Sequence, residues 1–385
     1  MFYKIVKILV RLALQLYCNR FTIANKSWLR QKGPLLLACN HPNSFFDAII
    51  IGSQFNEPVH FLARGDAFKK PWVRKLLSAL KMIPIYRLRE GREYLALNDA
   101  TFDTCGTILA NGGILLIFSE GLCINDYHIR PLKKGTARIA INAWSNPTIA
   151  NHFKVLPVGI SYNNFRGLGK KIFLQFGEPL LGSQFNFNGN AGESINRFNE
   201  VLSNNLQGVS MDTFGDVSGP QLLLSNFERI AVGERQGIMA LRQHLPTLEA
   251  IPVLFIKTPP FVATKQRLFF TIMLMVVLLP AASVGWLLHA PLYYLLKNTI
   301  AKKTTGTVFF DSVLFGVLLL LYPLLYVVVN VVIWLIWLNI WVTALLLLIP
   351  LWAKAALLCR EAVVAVANYL ALSKQQKRII DRLFT

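Results

Sequence analysis

From residue 268 the chain carries apolar runs too long for ordinary core helices. LFFTIMLMVVLLPAASVGWLL covers about 21 residues, and a helix needs about 20 to cross a bilayer's hydrocarbon. VFFDSVLFGVLLLLYPLLYVVVNVVIWLIWLNIWVTALLLLIPLW covers 308–352. As one straight helix it would reach about 68 Å, so two passes fit better than one, with the break at Pro323 or near Asn330. Lys265 and Arg267, then Lys297, Lys302 and Lys303, then Lys354 and Arg360 flank these runs. All carry the mark of a cytoplasmic side. A single pass at 268–288 would strand the middle lysines outside. The favoured arrangement is a membrane segment at 268–296 that re-enters at a break in Pro280, a transmembrane hairpin at 308–352, and a basic cytoplasmic tail at 353–385. A three-pass chain is the alternative.

The N-terminus, MFYKIVKILVRLALQLYCNR, is apolar and basic, with no small-residue cleavage site. Lys4, Lys7 and Arg11 share one helical face, which predicts an amphipathic interfacial helix over 1–20, cations toward an anionic leaflet; a helix packed on its own domain would show the same pattern. The net charge of +20 points to an anionic partner: membrane lipid headgroups, a phosphorylated substrate or a CoA-like carrier. No nucleic-acid motif accompanies it, so no nucleic-acid partner is expected. The five cysteines form no CxxC pair and no metal-ligand cluster, so neither metal nor disulfide is expected.

Between residues 21 and 180 apolar runs alternate with helical patterns. PLLLACN, VHFLAR, MIPIYR, GGILLIFSE, KVLPVGISY and KIFLQFG read as strands; FFDAIIIGSQF, KPWVRKLLSAL, REYLALNDATFDTCGTILAN and KKGTARIAINAWS read as helices. The alternation predicts an α/β domain with a central, largely parallel sheet flanked by helices. Ligand sites in such sheets lie beyond the carboxyl ends of the strands. Residues 181–267 read as a helical appendage.

Three motifs fall at those ends. In NHPNSFFDAIIIG, Pro42 keeps His41 out of helical geometry, and Asp47 lies in the first turn of the next helix. Asp47 is either a plain N-terminal carboxylate or the orienter of His41, leaving the second ring nitrogen for proton transfer. LKMIPIYRLREGR places Lys81 before and Arg87 after a short strand, in a stretch (64–92) where Lys and Arg outnumber acids nine to two. Arg87 could grip a phosphate. GGILLIFSEGLCIND ends a strand in Ser119-Glu120-Gly121, where the glutamate can fix an arginine or bond a hydroxyl. Arg130, Lys133 and Lys134 follow at a helix start.

Together these motifs resemble the PlsC-like glycerolipid acyltransferase family. NHPNSFFD stands for its NHxxxxD block, KMIPIYR for Kxx[FP]IxR, FSEG for FPEG and VLPVGIS for the last strand, over residues 30–180. The C-terminal membrane helices are most similar to a bacterial branch related to fungal glycerol-3-phosphate and dihydroxyacetone-phosphate acyltransferases. The resemblance implies an acyltransferase of phospholipid synthesis in the bacterial inner membrane, its catalytic domain on the cytoplasmic face. It implies His41 as general base, Asp47 as its orienter and Lys81 as oxyanion stabiliser. Arg87 would bind the acceptor's phosphate, with Asn40, Ser119, Glu120, Gly121, Arg130 and Lys133 around the glycerol-phosphate end. The acyl donor would be acyl-CoA or acyl carrier protein, the acceptor glycerol 3-phosphate or 1-acylglycerol 3-phosphate, with no cofactor.

Two departures stand out. Five residues separate His41 from Asp47 where the family has four, and EGLCI replaces EGTRS. The second motivates an alternative, acyl transfer to an amino-acid lipid or other acceptor without phosphate. A further alternative is a membrane scaffold that has lost catalysis.

Overall fold

The run Leu35–Cys39 is apolar at every position and buried throughout, as expected for a strand covered on both faces. It is the centre of the fold. In the computed structural model, residues 2–86, 96–187, 190–213, 218–226, 237–246, 261–337 and 348–384 are described. Helix α1 (Phe2–Tyr17) leads directly into β1 (Cys18–Ala24). Then come β2 (Leu35–Cys39), α2 (Phe45–Gln54), β3 (Val59–Arg64), α3 (Pro71–Ala79), β4 (Met82–Ile85), α4 (Leu97–Ala110) and β5 (Ile114–Phe118). Helix α5 (Lys134–Trp144), β6 (Lys154–Tyr162) and β7 (Lys170–Phe176) complete the sheet, in the order β1-β7-β6-β2-β5-β3-β4. All neighbours run parallel except β6 and β7.

The two-residue period of β2 divides the core. Leu35, Leu37 and Cys39 join Leu14, Tyr17, Phe46 and Tyr162 on one face. Leu36 and Ala38 face the opposite layer with Leu109, Ala140 and Phe198. Phe198 belongs to α6 (Ala191–Val209), whose Leu202 and Leu206 are also fully buried, so this part of 181–267 is a layer of the domain itself. Two shorter helices follow, α7 (Ser218–Asn226) and α8 (Gly237–Arg242).

Helix α1 turns two of its three cations, Lys7 and Arg11, inward. Arg11 donates to the carbonyls of Ser53, Gln54 and Phe55, and Lys7 to that of Asn56 at 2.9 Å, where α2 ends and its carbonyls lack helical partners. Burial first, then the Arg11 charge, pushes Lys7 down to about 8. The exposed face is apolar: Phe2, Ile5, Ile8, Leu9 and Leu12. The helix is amphipathic as expected, but two of the three cations expected to meet a leaflet are held by the domain.

The C-terminal region differs from its expected arrangement. Helix α9 (Lys265–Lys303) runs unbroken through Pro280 and Pro291, and α10 (Phe310–Trp337) through Pro323 and Asn330. The break at Pro280, and with it the re-entrant hairpin, is therefore corrected, as is a break near Pro323 or Asn330. The turn of the helical hairpin is 304–309. Prolines are tolerated inside apolar helices, where neighbouring groups satisfy the freed carbonyls. Among the described residues these two helices are long and apolar enough to cross a membrane. Their flanks expose Phe269, Val277, Trp286, Leu287, Leu320 and Leu335.

Helix α11 (Ile349–Ala371), which opens the expected basic tail at 353–385, runs back along α9. A Cβ on Gly285 would lie 2.0 Å from the Trp352 carbonyl oxygen, so the two backbones approach closely at that glycine. Helix α12 (Lys374–Phe384) buries Ile380 and Phe384. The basic flanks face the domain: Lys354 donates to the Cys18 carbonyl and Arg360 to that of Leu168 at 3.1 Å.

Candidate active site

The first turn beyond β2 and the N-terminus of α2 bring His41 and Asp47 together. His41 Nδ1 lies 2.9 Å from Asp47 Oδ2. Five intervening residues fit because Ser44 adopts a left-handed φ of 55°, an uncommon choice for a residue with a side chain. The Asp47 carboxylate is fully buried and saturated: Oδ2 also accepts from Asn43 N–H at 2.8 Å, and Oδ1 accepts from the Tyr162 hydroxyl at 2.6 Å. Burial and the Asp47 charge raise the Tyr162 hydroxyl, which stays a donor. The His41 ring stacks on Phe118, centroids 3.8 Å apart, and keeps 13% exposure. Its Nε2 has no hydrogen-bond partner among the described residues. An imidazole fixed at Nδ1 by a carboxylate and open at Nε2 has the geometry a general base needs.

The loop after β5 holds His41 from the other side. Glu120 is buried, its Oε1 accepting from His41 N–H at 3.0 Å and its Oε2 from Arg130 N–H at 3.3 Å. Burial is the largest influence on this carboxyl and raises it, against the two N–H groups and the Arg130 charge. A raised folded value means the native state binds the proton more tightly. The contribution to stability is full below the unfolded value and falls as pH rises through the folded one. Wild type is therefore expected to lose stability relative to Glu120→Gln as pH climbs from about 4 toward neutral. Thermal melts of both proteins across that range check this; a gap independent of pH would contradict it.

The remaining expected residues divide sharply. Asn40 is buried and tied to β6, donating to the Ile160 carbonyl at 3.0 Å and accepting from Ile160 N–H at 2.8 Å. Ser119 is buried too, its Oγ accepting from Thr136. Both side chains are buried and bonded within the domain. Gly121 takes a positive φ, and a Cβ there would meet Lys133 Cγ at 2.8 Å. Lys133 is exposed beside it. Arg130 is committed to carboxylates, paired with Asp126 and 3.5 Å from Glu120.

Lys81 does not reach the site. Met82 pairs with Phe61, Phe61 with Leu116 and Leu116 with Leu37, so Lys81 stands level with Leu36 at the amino end of the sheet. His41 lies about 16 Å further along and about 14 Å across. Lys81 instead stands near Lys32, Glu57 and His60, and the oxyanion role is withdrawn. Arg87 lies outside the described residues.

Four groups at the site escape sequence reasoning: Tyr162, Cys123, and the pair Lys170 and Asp311. Cys123 Sγ accepts from Ser44 N–H at 2.8 Å. Atoms of His41, Asp47 and Cys123 lie within 4.8 Å of one another, the one such group among the described residues close enough to share a metal. A metal there would have to displace the His41–Asp47 bond and deprotonate the Cys123 thiol, which burial holds well above its ordinary value.

Residues 20–161 match the family model described as Acyltransferase. The chain contains an acyltransferase domain. None of the curated proteins compared with the chain matches it. Among solved structures, the chain is similar to the crystal structure of the 1-acyl-sn-glycerophosphate (LPA) acyltransferase PlsC from Thermotoga maritima. That likeness has 19% identity and a TM-score of 0.40, over 56% of this chain and 81% of that one. The acyltransferase domain spans α1's exit through β6 and holds His41, Asp47, Glu120 and Arg130. Lys170 and Asp311 lie beyond it.

Proposed function

We propose that the protein transfers a fatty acyl group from acyl-CoA or acyl carrier protein to a hydroxyl of glycerol 3-phosphate or 1-acylglycerol 3-phosphate, at a membrane. The observation that carries this reading is the His41–Asp47 pair, oriented at Nδ1 and open at Nε2 inside an acyltransferase domain. His41 Nε2 takes the proton of the acceptor hydroxyl as its oxygen attacks the thioester carbonyl. The C–O bond forms, the C–S bond breaks, and the proton passes from His41 to the departing thiolate. The acyl group moves directly, and the chain's own residues suffice for the proton traffic. The exposed apolar faces of α1, α9 and α10 support insertion in lipid, where a lysolipid acceptor resides.

A second acceptor class has a specific observation behind it. Arg130, the cation nearest Glu120, is already neutralised by two carboxylates, which leaves Lys133 and Arg87 to meet a phosphate. Labelled acyl donor offered in parallel with glycerol 3-phosphate, 1-acylglycerol 3-phosphate and an acylated amino acid separates the readings. Label in the glycerophosphate products is expected. Label confined to the amino-acid lipid would replace the acceptor, and label in none would leave a membrane scaffold.

A further inference from the structure

The segment between His41 and Asp47 is held by the far end of the chain. Asp311, in the first turn of α10, is fully buried against the domain. Its carboxylate meets Lys170 Nζ at 2.6 Å, accepts from Asn43 Nδ2 at 2.8 Å and from Gly167 N–H at 2.9 Å, and accepts from the Tyr17 hydroxyl at 3.1 Å. The next residue continues the grip: Ser312 Oγ accepts from Phe46 N–H at 3.0 Å, serving a free donor at the start of α2. Phe315, one turn on, packs on Tyr17 and Phe46 with ring centroids 5.3 Å away in each case. Asn43 and Phe46 both lie inside the His41–Asp47 spacer. Asn43 also donates its N–H to Asp47, so one residue joins the two carboxylates.

We infer that Asp311 and Ser312 are positioning residues: the start of α10 docks on the His41–Asp47 spacer and sets the geometry of the catalytic pair. The inference rests on the proposed role of His41. It accounts for the spacer's length, since the additional residue lets Asn43 and Phe46 reach the hairpin while the left-handed Ser44 returns Asp47 to His41. It also makes the acyltransferase domain dependent on the membrane helices for a working site, so that release of α10 from the domain would slacken the base.

Full-length protein in lipid vesicles tests this with three variants. Asp311→Leu with Lys170→Met removes the buried charges and the acceptor for Asn43. Asp311→Asn with Lys170→Met restores a link, because the Asn43 side-chain oxygen, buried without a partner among the described residues, can turn to accept from the new amide. Ser312→Ala removes a single bond and serves if the Leu/Met protein does not fold. The Leu/Met variant is expected to lose about ten- to a hundredfold in kcat, with both KM values within about twofold of wild type. The Asn/Met variant should recover most of that loss, and Ser312→Ala should show a smaller fall in kcat alone. Ring-labelled histidine, with His41→Gln to assign the signal, supplies a readout that needs no substrate: the Nδ1–H resonance of His41 should be lost in Leu/Met and return in Asn/Met. Folded variants with wild-type kcat and an unchanged resonance would overturn the inference. Loss of the resonance in a protein whose wild type transfers no acyl group would support the positioning while removing the proposed function.

Discussion

His41→Ala is expected to lower acyl transfer by about 10²–10⁴-fold, the usual worth of a positioned general base. The fall should lie in kcat if, as proposed, Nε2 takes the acceptor's proton as the C–O bond forms. The variant should stay folded: the side chain keeps 13% exposure, and its ring bonds to Asp47 alone. Asp47 retains Asn43 N–H and the Tyr162 hydroxyl as donors. Steady-state kinetics with a circular-dichroism melt separates lost chemistry from lost fold. A variant that melts like wild type and works within tenfold of it would remove His41 from the reaction.

Lys170→Ala should produce the largest loss of stability. Lys170 is fully buried, lies 2.6 Å from Asp311 and donates to the Asn164 carbonyl at 2.6 Å. Burial presses its ammonium below the ordinary lysine value, opposed by the Asp311 charge. Removing the cation strands a carboxylate in the core, at a cost of about 3–5 kcal/mol. Replacing both partners by apolar groups costs far less on the same reasoning, so Lys170→Met with Asp311→Leu should be more stable than Lys170→Ala alone. Thermal or denaturant unfolding in matched micelles ranks them; the opposite order would mean the pair is not the source of the stability.

Much of the fold was legible because it is local. Six of the seven strands follow from apolar runs, and the helices between them from their period. Strand β1 escaped because Asn19 and Arg20 break its apolar pattern; its partner β7 supplies the ladder at the sheet's edge. His41 and Asp47 were legible as a spacing, and the turn brings them within 2.9 Å of one another. Side-chain direction is the part the motifs do not carry: beside the site, Asn40 bonds to Ile160 of β6 and Ser119 to Thr136 of α5. Lys81 misled for a topological reason. A residue that enters a parallel strand sits at the end of the sheet opposite to one that leaves it.

The long apolar C-terminal helices show the other limit. Proline reads as a helix break in a water-soluble pattern, yet α9 and α10 pass through three prolines. The grip of Asp311 and Ser312 on the His41–Asp47 spacer has no local signature, since it joins segments from opposite ends of the chain. Its one trace in sequence is the additional spacer residue, whose meaning appears only once Asn43 is seen to point at α10.

The most direct test is product identification with the full-length protein in vesicles, given labelled acyl-CoA or acyl carrier protein and 1-acylglycerol 3-phosphate, with His41→Ala alongside. The account predicts labelled diacylglycerol 3-phosphate from wild type and almost none from the variant. Equal product from both proteins, or no labelled lipid from folded, inserted wild type with any glycerophosphate acceptor, would contradict it.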